Sequence, residues 1–363
     1  LRRPPRSTQI RSSAASDVYE SQSKDLGYVG CGIVPLSALS GYAEKLEERM
    51  KKVPESARFY EAQKRFINPQ KQFPWAQSVI VVAERYGIYK IPHKVDGHIG
   101  KHYLFDARVD KHAMEYQSGV RFERYLDKLG LKFANERKFG LVGLRWAAMQ
   151  AGIGIIRRNN FFYTQYGSWV TLQAWLIDRK IEARETPNLP PCPAGCNRCV
   201  KSCPTQSLSE PYTMSPMKCV SFLTTFGGRD LPNEPLRKNF EECIYGCDIC
   251  QDVCPMNKRK WEEKENFPGL DELSHYLTPE KILEMDEDFY RSSVQPKFFY
   301  LAPDDLWKWK VDALCYMQNH YQEKYKSYIL TAREDEHTKV AEMAQCICKE
   351  IMPSRNQLEE SDN

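Results

Sequence analysis

Cys192-Pro193-Ala194-Gly195-Cys196-Asn197-Arg198-Cys199-Val200-Lys201-Ser202-Cys203-Pro204 and Cys247-Asp248-Ile249-Cys250-Gln251-Asp252-Val253-Cys254-Pro255 place seven of the chain's 13 cysteines in two short runs. Each run contains C-x2-C-x3-C-P, the pattern of bacterial two-cluster ferredoxins, in which the Cys before Pro ligates the other cluster. Thiolates are the soft ligands that iron shares with sulfide, and the two-residue spacing lets a tight loop wrap one face of a cubane. Crossed ligation assigns Cys192, Cys196, Cys199 and Cys254 to one [4Fe–4S] cluster, and Cys203, Cys247 and Cys250 to a second. The fourth ligand of the second is Cys219 or Cys243, which lie between the runs, and the spacing of Cys243 to Cys247 fits less well. A zinc ribbon also uses C-x2-C pairs, but two Cys-Pro endings in interlocked order favour iron–sulfur. Outside this island, Cys31, Cys315, Cys346 and Cys348 read as buried apolar thiols.

The chain has 363 residues, 42% hydrophobic and 28% charged, which suffices for two or three domains with a sizeable core. Clusters in such a chain are functional rather than a means of folding. With 52 Lys+Arg against 48 Asp+Glu, net charge does not by itself indicate nucleic acid. No apolar run reaches ~18 residues, so no transmembrane helix is expected. Leu1–Ser16 is basic and rich in Ser and Pro, without an apolar core, and reads as a disordered or expression-derived tail rather than a signal peptide. A cytoplasmic location is the expectation.

Strands and helices alternate between Leu26 and Ile181. Ser78–Ala83 and Trp169–Ile177 have the β-branched, apolar character of buried strands. Ala43–Met50, Val120–Leu129 and Gly143–Gln150 carry helical spacing. Glu185–Pro191 reads as a linker into the cysteine island. Pro279–Met285, Asp304–Gln318 and Glu336–Ile351 read as helices, the last two as a helical-repeat pair. Two clusters in one domain make a wire, and a wire carried beside a large α/β domain implies that the electrons are used within the same molecule.

Several strings carry a family resemblance. Phe73-Pro74-Trp75-Ala76-Gln77-Ser78-Val79-Ile80-Val81 is similar to "PGAxSVIV". Ala151-Gly152-Ile153-Gly154, Asn159-Asn160 and Gly167-Ser168-Trp169 are similar to "AGLG…GKN…GSW". Lys218-Cys219-Val220-Ser221-Phe222-Leu223-Thr224 is similar to "RRCISYLT". The most specific is Tyr245-Gly246-Cys247-Asp248-Ile249-Cys250-Gln251-Asp252-Val253-Cys254-Pro255-Met256-Asn257-Lys258, close to "YGCDxCQxVCPWNK". Over roughly residues 26–351 the chain resembles the epoxyqueuosine reductases and, more distantly, the cobalamin-dependent reductive dehalogenases. The resemblance selects Cys219 over Cys243. It implies an α+β fold: a nitroreductase-like α/β cobalamin-binding domain, a bacterial two-[4Fe–4S] ferredoxin-like domain and a short HEAT-like α-helical C-terminus. The boundaries expected are 1–17 for the tail, 18–188 for the cofactor and substrate domain, 189–262 for the cluster domain and 263–363 for the helical region.

The resemblance further implies a cobalamin without a histidine ligand to cobalt, reduced through the clusters, near Gly152, Gly154, Arg158, Asn159, Gly167, Ser168 and Trp169. Glycines there would let backbone approach a large macrocycle, or would only shape turns. Asp96-Gly97-His98-Ile99-Gly100 is one residue short of D-x-H-x-x-G and reads as a loop; no G-x-G-x-x-G element is present. An acidic proton donor is expected thirteen residues before Ala151, but Lys138 stands there, with Glu136 nearby. The "GKN" string is Arg158-Asn159-Asn160, preceded by Arg157, and the Trp after Cys-Pro is Met256. Dehalogenases use a Tyr donor, which makes Tyr103, Tyr116, Tyr163 and Tyr166 candidates; a buried Tyr is commonly a core residue with one hydrogen bond. The partners implied are an external ferredoxin- or flavodoxin-type electron donor and a substrate that is either a modified tRNA or a small organic molecule, with no membrane. The helical region, which grips RNA in tRNA-acting members, is short and not conspicuously basic here. A reductive dehalogenase and a non-catalytic electron carrier are the alternatives. An iron–sulfur sensor has no DNA-binding element to support it.

Overall fold

The computed structural model describes residues 21–181, 189–227 and 233–351; the tail 1–17 and the linker positions 185–188 lie outside them. The chain divides into two compact units. One comprises Leu1–Lys52, Ala57–Arg85 and Ala107–Cys192, the other Val53–Ser56, Tyr86–Asp106 and Pro193–Asn363.

The first unit is built on an antiparallel sheet of four strands in the order β1 (Gly30–Pro35), β2 (Ser78–Arg85), β6 (Val170–Ile177), β3 (Phe133–Ala134). Between β3 and β6 in the chain, β4 (Ile155–Ile156) and β5 (Phe162–Tyr163) form a separate hairpin. Side chains alternate across a strand, and β2 is apolar on both faces, so it separates two cores. Val79, Val81 and Ala83 join Val34, Ala147, Ala148, Leu172 and Ala174 on one face. Ile80 and Val82 join Ile33, Phe122, Leu126, Trp175 and Ile177 on the other. The helix Leu144–Gln150 supplies the first face and the helix Met114–Lys128 the second. An antiparallel sheet covered by helices on both sides explains why β2 and β6 read as nearly continuous apolar runs.

Three features depart from the sequence expectations. The helix expected over Val120–Leu129 begins at Met114 and runs through Gly119. A Cβ at Gly119 would lie 3.2 Å from Arg137 Nη1, a tight contact that a small shift of the arginine would relieve. Strand β1 carries two glycines and no long β-branched run, so its pattern does not announce a strand. Added Cβ atoms at Gly30 and Gly32 would collide with Ile153 and with the Ala151 carbonyl oxygen. Of the four outlying cysteines, only Cys315 is fully buried; Cys31, Cys346 and Cys348 are half-buried. Cys346 accepts a hydrogen bond from Arg237 Nη2 at 3.2 Å instead of sitting in an apolar pocket.

Of the regions 189–262 and 263–363, expected as separate domains, residues 189–192 fall in the first unit, and in the second unit 193–262 and the described part of 263–363 share one hydrophobic core. Val220, Leu223, Phe240 and Cys243 pack with Val311, Leu314, Cys315, Met317, Ile329, Val340, Met343 and Ile347. The helix Leu306–Asn319 runs through this core and packs against Pro279–Leu283 and Thr338–Ile351. Thr278 and Asp286 cap neighbouring short helices through their side chains. The segment Tyr86–Asp106 joins this unit through an aromatic cluster in which Phe105 stacks on Tyr89 at 5.3 Å and meets Phe267 at 5.7 Å. Among the described residues no helix is long and apolar enough to cross a membrane.

Gly32→Ala tests the close approach in the first unit. The obstructing atom is backbone, which cannot swing aside, so the substitution should cost about 1–3 kcal/mol. Chemical denaturation should show a lower midpoint with an unchanged slope.

Candidate cluster and cofactor sites

The two cysteine runs fold alike. Asn197 precedes the one-turn helix Arg198–Lys201, and Asp248 precedes Ile249–Asp252; these two turns pack together. Each run then ends in Cys-Pro, where proline cannot continue the helix and turns the chain away. Cys203, Cys219, Cys247 and Cys250 are half-buried in surroundings crowded with protein. Burial pushes the Cys219 thiol up to about 11, and the charges of Cys247 and Cys203 add to this. Burial likewise raises Cys250 well above the usual thiol range, reinforced by Cys247, Cys219 and Cys203. The four thiols are thus near neighbours, and Cys203 reaches the group from the first run. Cys243 hydrogen-bonds Cys247, and this contact, with burial, raises Cys247. Cys243 itself is only 6% exposed and packs in the helical core. Cys199 is buried, and Cys196 and Cys254 are half-buried, while Cys192 closes the first unit.

Sequence reasoning missed the segment that braces the second run. The loop expected at Asp96–Gly100 leads into the helix Lys101–Phe105, and its backbone meets the run directly. Gly100 N donates to Tyr245 O at 2.7 Å, and a Cβ at Gly100 would lie 3.2 Å from Cys247 N. Lys101 N donates to Asp248 Oδ2 at 2.6 Å and Gln251 Nε2 to Asp248 Oδ1 at 2.6 Å. Burial nevertheless raises the Asp248 carboxyl above its usual range. Lys101 Nζ pairs with Asp252 at 2.5 Å. Gly246 holds a φ of 83°, and a Cβ there would meet the Tyr103 ring at 2.5 Å. Behind it, Tyr245 stacks on Trp309 with centroids 4.7 Å apart. The near-adjacent glycines at 97 and 100 were the signal for such close contact.

In the first unit, the cofactor candidates gather on the β4–β5 hairpin and the turn that follows. Gly152, with a φ of 76°, ends the helix Leu144–Gln150: its N–H donates to Met149 O and that of Ile153 to Ala148 O, each at 3.1 Å. Gly154 lies against the Tyr163 carbonyl, which a Cβ would strike. Gly167, with a φ of 80°, closes a turn with Thr164 through two backbone bonds of 3.0 and 3.1 Å. Each glycine therefore meets a local backbone demand. Asn159, buried, donates to Tyr163 Oη at 2.9 Å and accepts from Phe161 N at 3.2 Å. Ser168 and Trp169 are 3% exposed, whereas Arg158 is half-buried. Arg157, 3% exposed, donates from Nη2 to Pro190 O at 2.8 Å and from Nη1 to Cys192 Sγ at 3.9 Å.

The proton-donor candidates do not converge. Tyr103 lies in the second unit, where its hydroxyl hydrogen-bonds Ser221 Oγ at 3.0 Å and burial pushes it up to about 12. Tyr116 lies beneath the Arg137 guanidinium at 4.5 Å, and Arg137 pairs with Glu123 at 2.8 Å. Tyr163 is fully buried on Asn159, and Tyr166 lies under Arg85 at 4.7 Å. Glu136 is exposed and accepts from Lys138 N at 2.9 Å and Phe139 N at 2.6 Å, so its carboxylate shapes its own loop. Lys138 Nζ lies 5.4 Å above the Phe139 ring. This loop borders a groove of about 820 Å³ whose lining includes Lys64, Arg65, Phe66, Lys71, Glu136 and Phe139. Arg65 lies over Phe66 at 4.5 Å and over Phe139 at 5.6 Å.

Residues 192–257 match the family described as the 4Fe-4S double cluster binding domain. An epoxyqueuosine reductase of Cellulophaga algicola is 28% identical over 294 residues, spanning 77% of this chain and 91% of that protein. One of Atelocyanobacterium thalassa is 30% identical over 208 residues, spanning 55% of this chain and 67% of that protein. Among solved structures, the epoxyqueuosine reductase from Streptococcus thermophilus shares the fold at a TM-score of 0.74 and 21% identity, covering 94% of this chain and 92% of that one. An epoxyqueuosine reductase solved with an epoxyqueuosine-modified tRNA-Tyr stem loop shares it at 0.73 and 19%, covering 93% and 91%. With its double cluster domain, its fold shared with these enzymes over more than nine-tenths of the chain, and a relative 30% identical over two thirds of that relative's length, the chain is an oxidoreductase that belongs to the epoxyqueuosine reductase family.

Proposed function

We propose that this chain reduces the epoxide of epoxyqueuosine in tRNA, with electrons passing through two [4Fe–4S] clusters to a cobalamin. The observation that carries this reading is the grouping of Cys203, from the first cysteine run, with Cys219, Cys247 and Cys250. Interlocked clusters require that crossing. On this reading Cys192, Cys196, Cys199 and Cys254 hold one cluster, and Cys203, Cys219, Cys247 and Cys250 the other. The raised thiols fit such a site, because iron replaces the proton whose loss burial opposes. Cys243 stays a core thiol beside the second cluster.

Overall, two electrons and two protons convert the epoxide to an alkene and water. An external ferredoxin- or flavodoxin-type donor supplies the electrons one at a time. When bound, the cobalamin supplies reduced cobalt, a strong nucleophile or one-electron donor toward the substrate. Its holders would be Arg158 and the backbone at Gly152, Gly154 and Gly167–Ser168, on a hairpin that Asn159 and Trp169 keep rigid from within. Rigidity of this kind suits a site that must orient a large group. Lys138 takes the proton-donor role: its ammonium carries a transferable proton, whereas the Glu136 oxygens are engaged with their own loop. The RNA would lie along the groove of Lys64, Arg65, Phe66, Lys71 and Phe139, where cations meet phosphates and aromatic faces stack on unpaired bases.

Three experiments test this. Anaerobically reconstituted protein should take up cobalamin and turn over an epoxyqueuosine stem loop but not a halogenated phenol. Absence of cobalamin uptake, or turnover of the phenol alone, would overturn the assignment. Lys138→Gln should lower turnover about 10²-fold or more with KM little changed, whereas Glu136→Gln should act mainly through stability. Cys219→Ala should reduce bound iron from about eight to about four per chain while Cys243→Ala retains about eight; the reverse result would exchange their roles.

A further inference from the structure

We infer that Arg157 tunes the reduction potential of the cluster that Cys192 ligates, by presenting a buried cation and an N–H···S hydrogen bond to that sulfur. The inference rests on the cluster reading above and goes beyond it. Arg157 opens the turn between β4 and β5, where its N–H donates to Phe161 O at 3.0 Å and its carbonyl accepts from Asn160 N at 2.8 Å. Asn160 takes a φ of 63° to close the turn. The backbone thus fixes where the side chain starts. Its guanidinium lies 5.1 Å from the Tyr163 ring centroid, and Asn159 holds the hydroxyl of that same tyrosine. One fork of the guanidinium then anchors Pro190 O at 2.8 Å, and the other reaches Cys192 Sγ at 3.9 Å. The side chain is 3% exposed, and its Nε is buried with no partner among the described residues.

A guanidinium is costly to bury without a compensating anion. No carboxylate pairs with Arg157 among the ion pairs of the described residues, while a cluster thiolate is an anion at the position it points to. A [4Fe–4S] centre with four thiolates carries two negative charges when oxidised and three when reduced by one electron. A nearby cation therefore stabilises the reduced form more, in a setting where water screens little. Hydrogen bonds to cluster sulfurs act in the same direction, and both are recognised determinants of cluster potential. The planar fork also sets the position of Cys192 by holding the backbone two residues before it, which a lysine could not do in the same way. Arg157 is therefore a positioning residue for one cluster and leaves the second cluster, held by Cys203, Cys219, Cys247 and Cys250, unaffected.

The test is an EPR-monitored titration of the anaerobically reconstituted enzyme, with dithionite supplying one electron per cluster. Iron and sulfide are assayed on every sample. Arg157→Gln should move one of the two midpoints to more negative potential and leave the other in place. Arg157→Lys, which keeps the charge but loses the fork, should move the same midpoint by less. Arg179→Gln, an exposed change in the same unit, should move neither. Unchanged midpoints in fully loaded Arg157 variants, or an equal shift of both clusters, would overturn the inference while the cluster reading stands. If Arg157→Gln fails to retain iron, Arg157→Lys decides by the same criterion. A wild-type protein that binds no cluster at all would instead remove the reading on which the inference rests.

Discussion

A thiol in a crowded, poorly solvated place gives up its proton reluctantly, and several thiols in one place more reluctantly still. Cys219, Cys247 and Cys250 are in that condition, with Cys203 beside them. Such a grouping has no value to the fold by itself, since four dispersed apolar side chains would pack as well. On the proposed cluster reading, a group that takes thiolates offsets the deprotonation, and contacts within the second unit brace the segments that carry these cysteines. Tyr245 is clamped by Trp309 from the helical ending, Gly100 and Lys101 bond to the run from the other side, and Tyr103 bonds Ser221 next to Cys219. This is why the cysteine-rich region and the helical region have one core.

The first unit answers a different constraint, close approach of backbone to backbone. Gly30, Gly32 and Gly154 stand where any side chain would strike Ile153, Ala151 or Tyr163. The strand β1, the end of the helix Leu144–Gln150 and the β4–β5 hairpin therefore lie nearer to one another than side chains would permit. Glycine costs conformational entropy in a strand, and the two large cores on either side of β2 offset it. What this compactness gives is a hairpin whose turn has little freedom, with Asn159 buried on Tyr163 and Asn160 held in a left-handed conformation.

The cluster chemistry is legible in the cysteine spacing alone, because ligand spacing is a local property and the crossing rule is geometric. Strands β2 and β6 are legible because burial on both faces leaves an uninterrupted apolar run. Strand β1 is not, since its defining feature, the absence of side chains at 30 and 32, has meaning only against Ala151 and Ile153, more than a hundred residues away. Asp96–Gly100 reads as a plain loop, because the backbone bonds of Gly100 and Lys101 to Tyr245 and Asp248 leave no pattern in the sequence. The scattered tyrosine candidates fail to converge for a related reason. Tyrosine is as useful in a core as in a site, and Tyr163 is buried, bonded by Asn159 and covered by the Arg157 guanidinium.

The β4–β5 turn is held by its side chains as well as by close backbone packing. Its residues are almost all committed: Arg157 to Pro190 and Cys192, Asn159 to Tyr163, Asn160 to Arg49 and Arg145. A turn with so few free valences cannot adjust its position without disturbing the chain just ahead of the first cysteine run. A shift of the hairpin would therefore also shift the cation at the Cys192 sulfur. On the inference drawn above, the rigidity of the turn and the tuning of the Cys192 cluster are one property.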